Sequence, residues 1–232
     1  KGKIQCPGSI KFDDQEGQRK EGRDFRPGLR ALGVAEDAII LLAGSTHQGE
    51  EAILGAMVVR LRREFPKLFP VIVPRHAERW REVREDLRQA GLTVALRQEE
   101  TRPGELASGE KPDVLLVNTT GELRDWYDCA DVVFVGKSLT TRGGQNPAEA
   151  IAAGKAVVVG PHMENFSNLV SQLVRARGLV QVADAEELET ALRELLARPE
   201  VAVALAERGR ECLRFHRGAT IRTCEALEDL DR

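Results

Sequence analysis

Residues 143–149, GGQNPAE, bring two glycines, two amides and a carboxylate into one short stretch, and proteins build phosphate sites from such residues. Gly143 and Gly144 let the backbone approach a ligand closely. Asn146 followed by a proline is typical of a helix start, where free N–H groups attract anions. We therefore predict a phosphate-bearing ligand here. An ordinary capping box between Asn146 and Glu149 is the alternative that needs no ligand.

Buried strands on either side must position this stretch. Residues 131–136 and 156–160 are short, apolar, β-branched runs that end in glycine, the pattern of parallel strands. Similar runs occur at residues 38–43, 69–74, 93–96, 113–117 and 179–182. Apolar spacing and capping residues predict helices over residues 49–64, 78–90, 122–130, 147–153, 166–177, 185–197, 201–216 and 219–230.

The alternation of strands and helices predicts an α/β fold, a Rossmann-like doubly wound parallel sheet. A polar loop over residues 98–111 separates two triplets of βα units, which predicts the strand order 3-2-1-4-5-6 with a crevice between strands one and four. Five loops border this crevice, over residues 44–47, 74–76, 118–123, 137–146 and 161–165. We divide the chain into a junction or linker (1–30), a binding domain (31–218) and a C-terminal helix (219–232), whose apolar face needs a partner.

Composition argues against several other classes of protein. The 232 residues are 42% hydrophobic and 31% charged, and a formal net charge of −3 without a basic stripe disfavours nucleic acid as a partner. Four cysteines without CxxC spacing predict a reduced, cytoplasmic setting and no metal site. No apolar run approaches the roughly 20 residues that span a bilayer, so we expect a soluble segment without membrane contact. The chain begins at Lys1, which suggests a piece of a longer protein.

The glycine motifs of common cofactor sites do not occur. The first strand runs into AGSTHQG, which lacks the GxGxxG pattern of NAD and FAD sites, and the sequence has no GxxxxGK[ST] phosphate loop. A nucleotide sugar is therefore the better ligand for this sheet.

Seven motifs follow one another along the chain in the order found in one enzyme family. They are GSIKFD at 8–13, AGSTHQGEE at 43–51, VPRH at 73–76, NTTGEL at 118–123, ADVVFVGKSL at 130–139, GGQNPAEA at 143–150 and GPHMENF at 160–166. The chain resembles the GT-B glycosyltransferases that move 3-deoxy-D-manno-octulosonic acid (Kdo) from CMP-Kdo to lipid A in lipopolysaccharide biosynthesis. The resemblance implies that it is the C-terminal, donor-binding half of such an enzyme.

The same resemblance implies an N-terminal half that lies outside this sequence. That half would carry the membrane anchor, the site for the lipid A precursor and the catalytic base, on the cytoplasmic side of the bacterial inner membrane. We therefore expect no catalytic residue in this segment, and we expect the isolated chain to fold but to transfer no sugar.

The resemblance also implies a set of donor-binding residues. Arg75 and His76 would meet the phosphate or carboxylate of CMP-Kdo, and Glu149 would accept hydrogen bonds from the ribose. The other donor-binding candidates are Ser45, Thr46, Gly121, Glu122, Leu123, Lys137, Ser138, Gly143, Gly144, Gln145 and Asn146, with His162 and Asn165 at the rim. Helix capping is the structural alternative for Ser45 and Thr46 and for the pair of Thr119 and Glu122.

Three positions differ from residues that are common in that family. Lys137 stands in place of a glycine, Gln145 in place of a histidine and Asn118 in place of an aspartate. Because Lys137 adds a cation beside the predicted phosphate site, donor affinity or sugar choice can differ from that of typical members.

The implied reaction is displacement at the anomeric carbon of Kdo with CMP as the leaving group. Backbone N–H groups and an Arg or Lys would stabilise charge on the departing phosphate, so no cofactor is expected beyond the donor substrate. Two other functions remain open. One is a different GT-B enzyme, such as a UDP-sugar transferase or a sugar-nucleotide epimerase, and the other is a nucleotide-binding module without chemistry.

The lack of a DxD-like acidic cluster in the site loops generates a prediction about metal dependence. We expect CMP affinity to be unchanged by EDTA, because cationic side chains and backbone N–H groups supply the positive charge. Calorimetric titrations with CMP before and after chelation measure this. A large loss of affinity that Mg²⁺ restores would contradict it.

Overall fold

The structure of the protein, a computed structural model, describes residues 22–97, 111–216 and 218–228. The motif at residues 8–13, most of the predicted linker and nearly all of the predicted loop at 98–111 lie outside this part of the chain. The strands are β1 (Ile39–Thr46), β2 (Leu68–Pro74), β3 (Val94–Leu96), β4 (Val114–Leu116), β5 (Val132–Val135), β6 (Ala156–Val159) and β7 (Val180–Gln181).

Helices follow most of these strands. They are α1 (Arg26–Ala31), α2 (Glu50–Glu64), α3 (Trp80–Gln89), α4 (Leu123–Cys129), α5 (Ala148–Ala152), α6 (Ser167–Arg175), α7 (Ala185–Ala197), α8 (Pro199–Arg214) and α9 (Ala219–Glu228). All predicted strands and helices are present, with small shifts at their ends, and the predicted α/β fold with one parallel sheet is confirmed.

The strand order differs from the prediction. The sheet runs β3-β4-β2-β1-β5-β6-β7, and all neighbouring strands are parallel. The predicted order 3-2-1-4-5-6 is therefore wrong, because β4 lies between β2 and β3, and the strand beside β1 is β5. The topological switch point lies between β1 and β5.

Two aspartates show why the apolar pattern alone did not decide this order. The carboxylate of Asp131, at the start of β5, accepts a hydrogen bond from the Ile40 N–H at 2.7 Å, while the Asp131 N–H donates to the Ile40 carbonyl at 2.9 Å. Asp113 makes the same pair of bonds with Thr93 before β3, both at 2.8 Å. Strands β4 and β5 are both buried apolar runs that follow an aspartate, so their sequences look alike. The hydrogen bonds of Asp113 to Thr93 and of Asp131 to Ile40 select the neighbouring strand.

The sheet is buried on both faces. Along β1, Ile40 and Leu42 join the core beside α4, α5 and α6, whereas Leu41 and Ala43 join the core beside α2, α3 and α7. Burial on both faces explains why the strands are nearly continuous apolar runs rather than alternating ones.

The last residues of the predicted linker are structured. Residues 26–31 form α1, and Phe25 and Leu29 are buried. The Phe25 ring stacks on Trp126 with 4.2 Å between ring centroids, and the guanidinium of Arg97 lies 4.9 Å from its centroid. The charged, Gly and Pro residues around Phe25 and Leu29 suggested a linker. Both side chains are nevertheless buried, and Phe25 packs against Trp126 of α4.

The C-terminal helix leaves its apolar face open. Ile221 is 65% exposed and Leu227 is 59% exposed, whereas Ala219 is buried. The expectation that this face needs a partner stays a prediction. In the described part of the chain, no helix is both long and apolar enough to cross a membrane.

Gly160, at the end of β6, provides a test of the packing at the carboxyl edge. A Cβ atom there would lie 2.1 Å from the Ser138 carbonyl oxygen, and a backbone atom cannot rotate away. We expect Gly160→Ala to lower the free energy of unfolding in urea by about 3 kcal/mol.

Gly91→Ala is the matched control. Gly91 has a left-handed φ of +87° but no heavy atom within 4 Å of the added Cβ, so only the conformational cost of about 1 kcal/mol applies. If Gly160→Ala and Gly91→Ala lower the free energy of unfolding equally, the close approach at Gly160 does not contribute to stability.

Candidate functional site

The carboxyl ends of β1 and β5 are neighbours, so the loops that leave these strands share one edge of the sheet. Gly44 pairs with Val135, and the Gly136 N–H donates to the Gly44 carbonyl at 2.8 Å. Ligands of open α/β sheets bind outside the carboxyl ends of the strands, at such a switch point. The loops that follow β1, β2, β4, β5 and β6 all leave the sheet at this edge, as predicted. The strand that borders the crevice together with β1 is β5 instead of β4.

A single buried carboxylate joins the two central loops. Glu50, the first residue of α2, is 0% exposed. Its Oε2 accepts hydrogen bonds from the N–H groups of His47 and Lys137, both at 2.8 Å. Its Oε1 accepts from the N–H groups of Ser138 at 3.0 Å and Leu139 at 2.9 Å. Sequence reasoning missed Glu50, because a glutamate in the first turn of a helix usually faces solvent.

The backbone is constrained where these loops meet. A Cβ atom on Gly136 would lie 2.5 Å from the Thr46 Cα, so only glycine allows the approach. Ser45 has a φ of 56° and Lys137 a φ of 54°, left-handed values that cost a non-glycine residue about 1–2 kcal/mol each. Such conformations persist where tertiary structure enforces them, and they concentrate at functional sites.

Two of the predicted donor-binding hydroxyls are buried within the protein. Thr46 is fully buried, and its Oγ1 donates to Glu51 Oε1 at 3.0 Å. Ser138 is fully buried as well, where its Oγ donates to the Val135 carbonyl at 2.5 Å and accepts from the Gly160 N–H at 2.9 Å. These two side chains therefore hold the loops together, and their contact with the donor stays a prediction. Ser45, beside them, is half-buried.

A second buried carboxylate supports the first loop. Glu51 accepts from Thr46 and pairs with Arg79 at 3.1 Å, while its Oε2 has no hydrogen-bond partner among the described residues. Burial raises the pKa of the Glu51 carboxyl, and the neighbouring Arg79 and Thr46 oppose that shift. Glu51 was likewise not predicted from the sequence.

The loops after β5 and β6 form one unit. The Gly143 N–H donates to Glu164 Oε2 at 2.7 Å, and its carbonyl accepts from the Asn165 N–H at 3.1 Å. A Cβ on Gly143 would lie 3.0 Å from Asn165 Nδ2 and 3.8 Å from Lys137 Nζ, so these predicted residues do come together. Gly144 is buried against Met163 with a φ of +68°.

Two further predicted residues lie in the same loops. The backbone N–H of His162 donates to the Ser138 carbonyl at 2.9 Å, and its half-exposed ring lies 3.5 Å from Glu164. Gln145 is half-buried beside Gly144. The ring of His162 therefore stands at the rim, where a ligand can reach it.

The predicted helix start is confirmed at its cap. Asn146 Oδ1 accepts from the Ala148 N–H at 3.1 Å, but α5 has only five residues. Glu149 pairs with Arg124 at 3.1 Å instead of closing a capping box with Asn146. If Glu149 binds no ligand, its role is therefore this ion pair, in which the Arg124 side chain is 65% exposed.

The loop after β4 is fixed by contacts of the buried Glu122 side chain. Glu122 is 7% exposed, and its carboxylate accepts from Thr119 Oγ1 at 2.6 Å and pairs with Arg97 at 3.3 Å and Arg23 at 3.1 Å. The expected capping box is therefore replaced by a direct bond between the two side chains. The Glu122 carboxylate is therefore occupied by protein partners, while the predicted binding of the donor by backbone N–H groups at Gly121, Glu122 and Leu123 stays a prediction.

The residues on either side of Glu122 differ in solvent exposure. Gly121 is exposed, with a φ of +81° and open space where a Cβ would be. Leu123 is half-buried against β1, where its Cδ1 would lie 2.9 Å from a Cβ on Gly44. Backbone contact with a ligand at Gly121 remains a prediction.

Basic side chains border the edge above the buried carboxylates. Arg75 and His76 are exposed after β2, and the Arg75 N–H donates to the Thr46 carbonyl at 2.9 Å. Within the described part of the chain, no hydrogen bond or ion pair engages the Arg75 guanidinium or the Lys137 ammonium. Such cations are suited to bind phosphate or carboxylate groups.

His47 is a further residue that the sequence analysis did not name individually. Its ring meets that of His76 edge to face, with 6.3 Å between centroids, and its Nδ1 is buried without a partner among the described residues. Burial lowers the pKa of His47. The charges of Arg79 and Lys137 act in the same direction, and Glu50 opposes them. The only available signal was its place in the loop after the first strand.

The arrangement supplies positive charge and hydrogen-bond donors rather than a metal-binding cluster. Among the residues that the structure describes, no group of three or more His, Cys, Asp or Glu side chains is placed to hold a metal ion. A cavity of about 380 Å³ lies elsewhere, at the opposite edge of the sheet, between the starts of β1, β5 and β6 and helix α8. The candidate site is therefore the open carboxyl edge.

Comparisons with curated proteins reveal relatives along almost the whole chain. It is 37% identical over 226 residues to the 3-deoxy-D-manno-octulosonic acid transferase of Bordetella pertussis, covering 96% of this chain and 50% of that protein. It is 34% identical over 232 residues to the Haemophilus influenzae protein of the same name, covering 98% and 52%. The chain spans about half the length of the curated relatives it matches. No family model matches it.

Solved structures give the same picture for the fold. The C-terminal CMP-Kdo binding domain of WaaA from Acinetobacter baumannii is 28% identical, with a TM-score of 0.69 over 80% of this chain and 97% of that domain. The C-terminal domain of LpcC, a group 1 glycosyl transferase from Francisella tularensis, is 17% identical with a TM-score of 0.56, which shows the fold alone.

The fold and the position of its switch point match those of the C-terminal domains of GT-B glycosyltransferases. Over about half of their length, the chain is a relative of the 3-deoxy-D-manno-octulosonic acid transferases, as its motifs predicted.

The lowered pKa of His47 generates a prediction about acid stability. Because the folded state binds this proton more weakly than the unfolded state, stability is full above about pH 6.5 and falls as the pH drops below that value. We expect His47→Asn to lose less free energy of unfolding than the wild type between about pH 7 and about pH 5.

Urea unfolding at both pH values, compared between wild type and variant, measures this difference. An NMR titration of the wild type should place the His47 midpoint below the ordinary histidine value. A midpoint at or above that value would contradict the prediction.

Proposed function

We propose that this chain is the donor-binding domain of a glycosyltransferase that moves Kdo from CMP-Kdo to lipid A. The observation that carries the proposal is the match to a solved CMP-Kdo binding domain over 97% of that domain, together with an open, basic switch-point edge in this chain. In the full-length protein, the lipid A precursor would be held by the other half, on the cytoplasmic side of the bacterial inner membrane.

The donor would lie across the loops at the β1–β5 edge. Arg75 and Lys137, which have no ion pair with a described residue, would meet the phosphate and the Kdo carboxylate. The exposed backbone around Gly121 would face the cytosine, and Glu149 the ribose. His76, Gln145, His162 and Asn165 would line the rim.

This half would act on the leaving-group side of the reaction. As the bond between the anomeric carbon and the phosphate oxygen breaks, negative charge grows on CMP, and fixed cations stabilise that charge without reorganisation. The residues in hand contribute binding and charge stabilisation, and the catalytic base would come from the other half. No cofactor beyond the donor enters this proposal.

Calorimetry with CMP, UMP and UDP tests the proposal. We expect the chain to bind CMP at least about tenfold more tightly than UMP, since a hydrogen-bonded base edge discriminates against an exchanged donor and acceptor. Preference for UDP would favour a different GT-B enzyme. Lys137→Gln should weaken CMP binding, whereas Lys155→Gln, before β6 at the opposite edge, should not.

Glu149 gives a sharper prediction for the ribose. We expect Glu149→Gln to weaken CMP binding by roughly 10- to 150-fold, because it removes a charged acceptor worth about 1.5 to 3 kcal/mol. The variant should lose no more than about 1 kcal/mol of unfolding free energy, since its ion pair with Arg124 is largely exposed.

Arg124→Gln is the matched control, because it breaks the same ion pair from the other side. It should leave CMP affinity nearly unchanged. If Glu149→Gln lowers stability while its CMP affinity equals that of the wild type, the ribose role is wrong.

A further inference from the structure

The Glu50 carboxylate lies where an α/β sheet usually offers backbone N–H groups to a ligand. Three successive N–H groups, from Lys137, Ser138 and Leu139, point at its two oxygens, and the His47 N–H adds a fourth. Successive backbone N–H groups of this kind form an anion-binding nest. In this chain the anion is a side chain of the protein.

The filled nest changes where a phosphate can bind. A phosphate cannot share these N–H groups with a fully buried carboxylate, because both are anions and every N–H already has an acceptor within 3.0 Å. A phosphate would therefore be bound by side chains on the surface of the loop and not by these backbone N–H groups. Lys137 is one such cation, and its own N–H is one of the four donors.

The same bonds determine how Lys137 is presented. Its left-handed φ of 54° is unfavourable for lysine, and the Glu50 bond to its N–H at 2.8 Å holds it. The neighbouring Gly136 admits Glu50 Oε2 only because it lacks a Cβ, which would lie 2.7 Å from that oxygen.

Ordinary stabilisation of α2 does not account for this geometry. An acidic residue in the first turn favours a helix through the helix dipole, but that role needs no bond to a distant loop. Glu50 is bonded to N–H groups 87 to 89 residues further along the chain.

We propose, on the basis of the donor-binding function above, that Glu50 is a positioning residue for the donor phosphate. Its carboxylate fills the backbone nest at residues 137–139 and turns the Lys137 ammonium toward the ligand, so that the phosphate is bound by side-chain cations one layer out.

Two substitutions test this with CMP calorimetry. Glu50→Gln keeps the shape but turns an amide NH₂ toward two backbone N–H donors, and Glu50→Ala empties the nest. We expect each to weaken CMP binding by about tenfold or more. Glu51→Gln is the control, since that equally buried carboxylate has no bond to the β5 loop, and it should retain affinity to within about threefold.

Chemical rescue separates positioning from general stability. Acetate has the shape of the group that Glu50→Ala removes, so sodium acetate should restore CMP affinity in that variant, whereas sodium chloride at equal ionic strength should not. Restoration by chloride alone, or none by acetate, would overturn the proposal. If Glu50→Ala does not fold, the Gln variant decides by its CMP affinity, and wild-type affinity would overturn the proposal.

Amide hydrogen exchange at residues 137–139 gives a measurement without CMP. These amides should be protected in the wild type and exchange faster in Glu50→Gln, while Glu51→Gln leaves them protected. If wild-type chain binds no CMP, the proposed function fails, but exchange still reports whether Glu50 holds the nest. Unchanged protection in Glu50→Gln would overturn the inference even where CMP binding stands.

Discussion

The parallel pairing of β1 with β5 is the constraint on which the candidate site depends. A carboxylate closes the pair at each end: Asp131 bonds to Ile40 at the start, and Glu50 bonds to the loop beyond β5 at the finish. With both ends held, the strands cannot slip in register, and the two loops diverge from a defined point. The crevice exists because helices on opposite faces follow these two strands.

The charges at this edge are arranged in layers. Glu50 and Glu51 lie buried beneath the loops, where hydrogen bonds and Arg79 offset the cost of removing carboxylates from water. Arg75, His76 and Lys137 lie above them, at the surface or half-buried. The basic side chains are therefore more accessible to solvent than the two carboxylates, which hold the loops in place.

The region after β4 and the segment before β1 are joined behind the site. Glu122 connects Arg23 and Arg97, and Phe25 lies between those arginines and Trp126. The segment that precedes the sheet is thus part of the same packed body.

The sequence by itself determined the seven strands, the helices other than α1, the α/β class and the five loops at the carboxyl edge, because burial periodicity and capping residues act locally. Its motifs also predicted the relatives that the comparisons found. Only the tertiary structure decided that β5 and not β4 lies beside β1, since both are equivalent apolar runs after an aspartate. It also decided that Thr46, Ser138 and Glu122 face inward and that Glu50 and Glu51 are buried. Residue type cannot reveal those roles, because a hydroxyl or carboxylate binds a ligand or a neighbouring loop with the same hydrogen bonds, and only the path of the distant chain determines which partner is present.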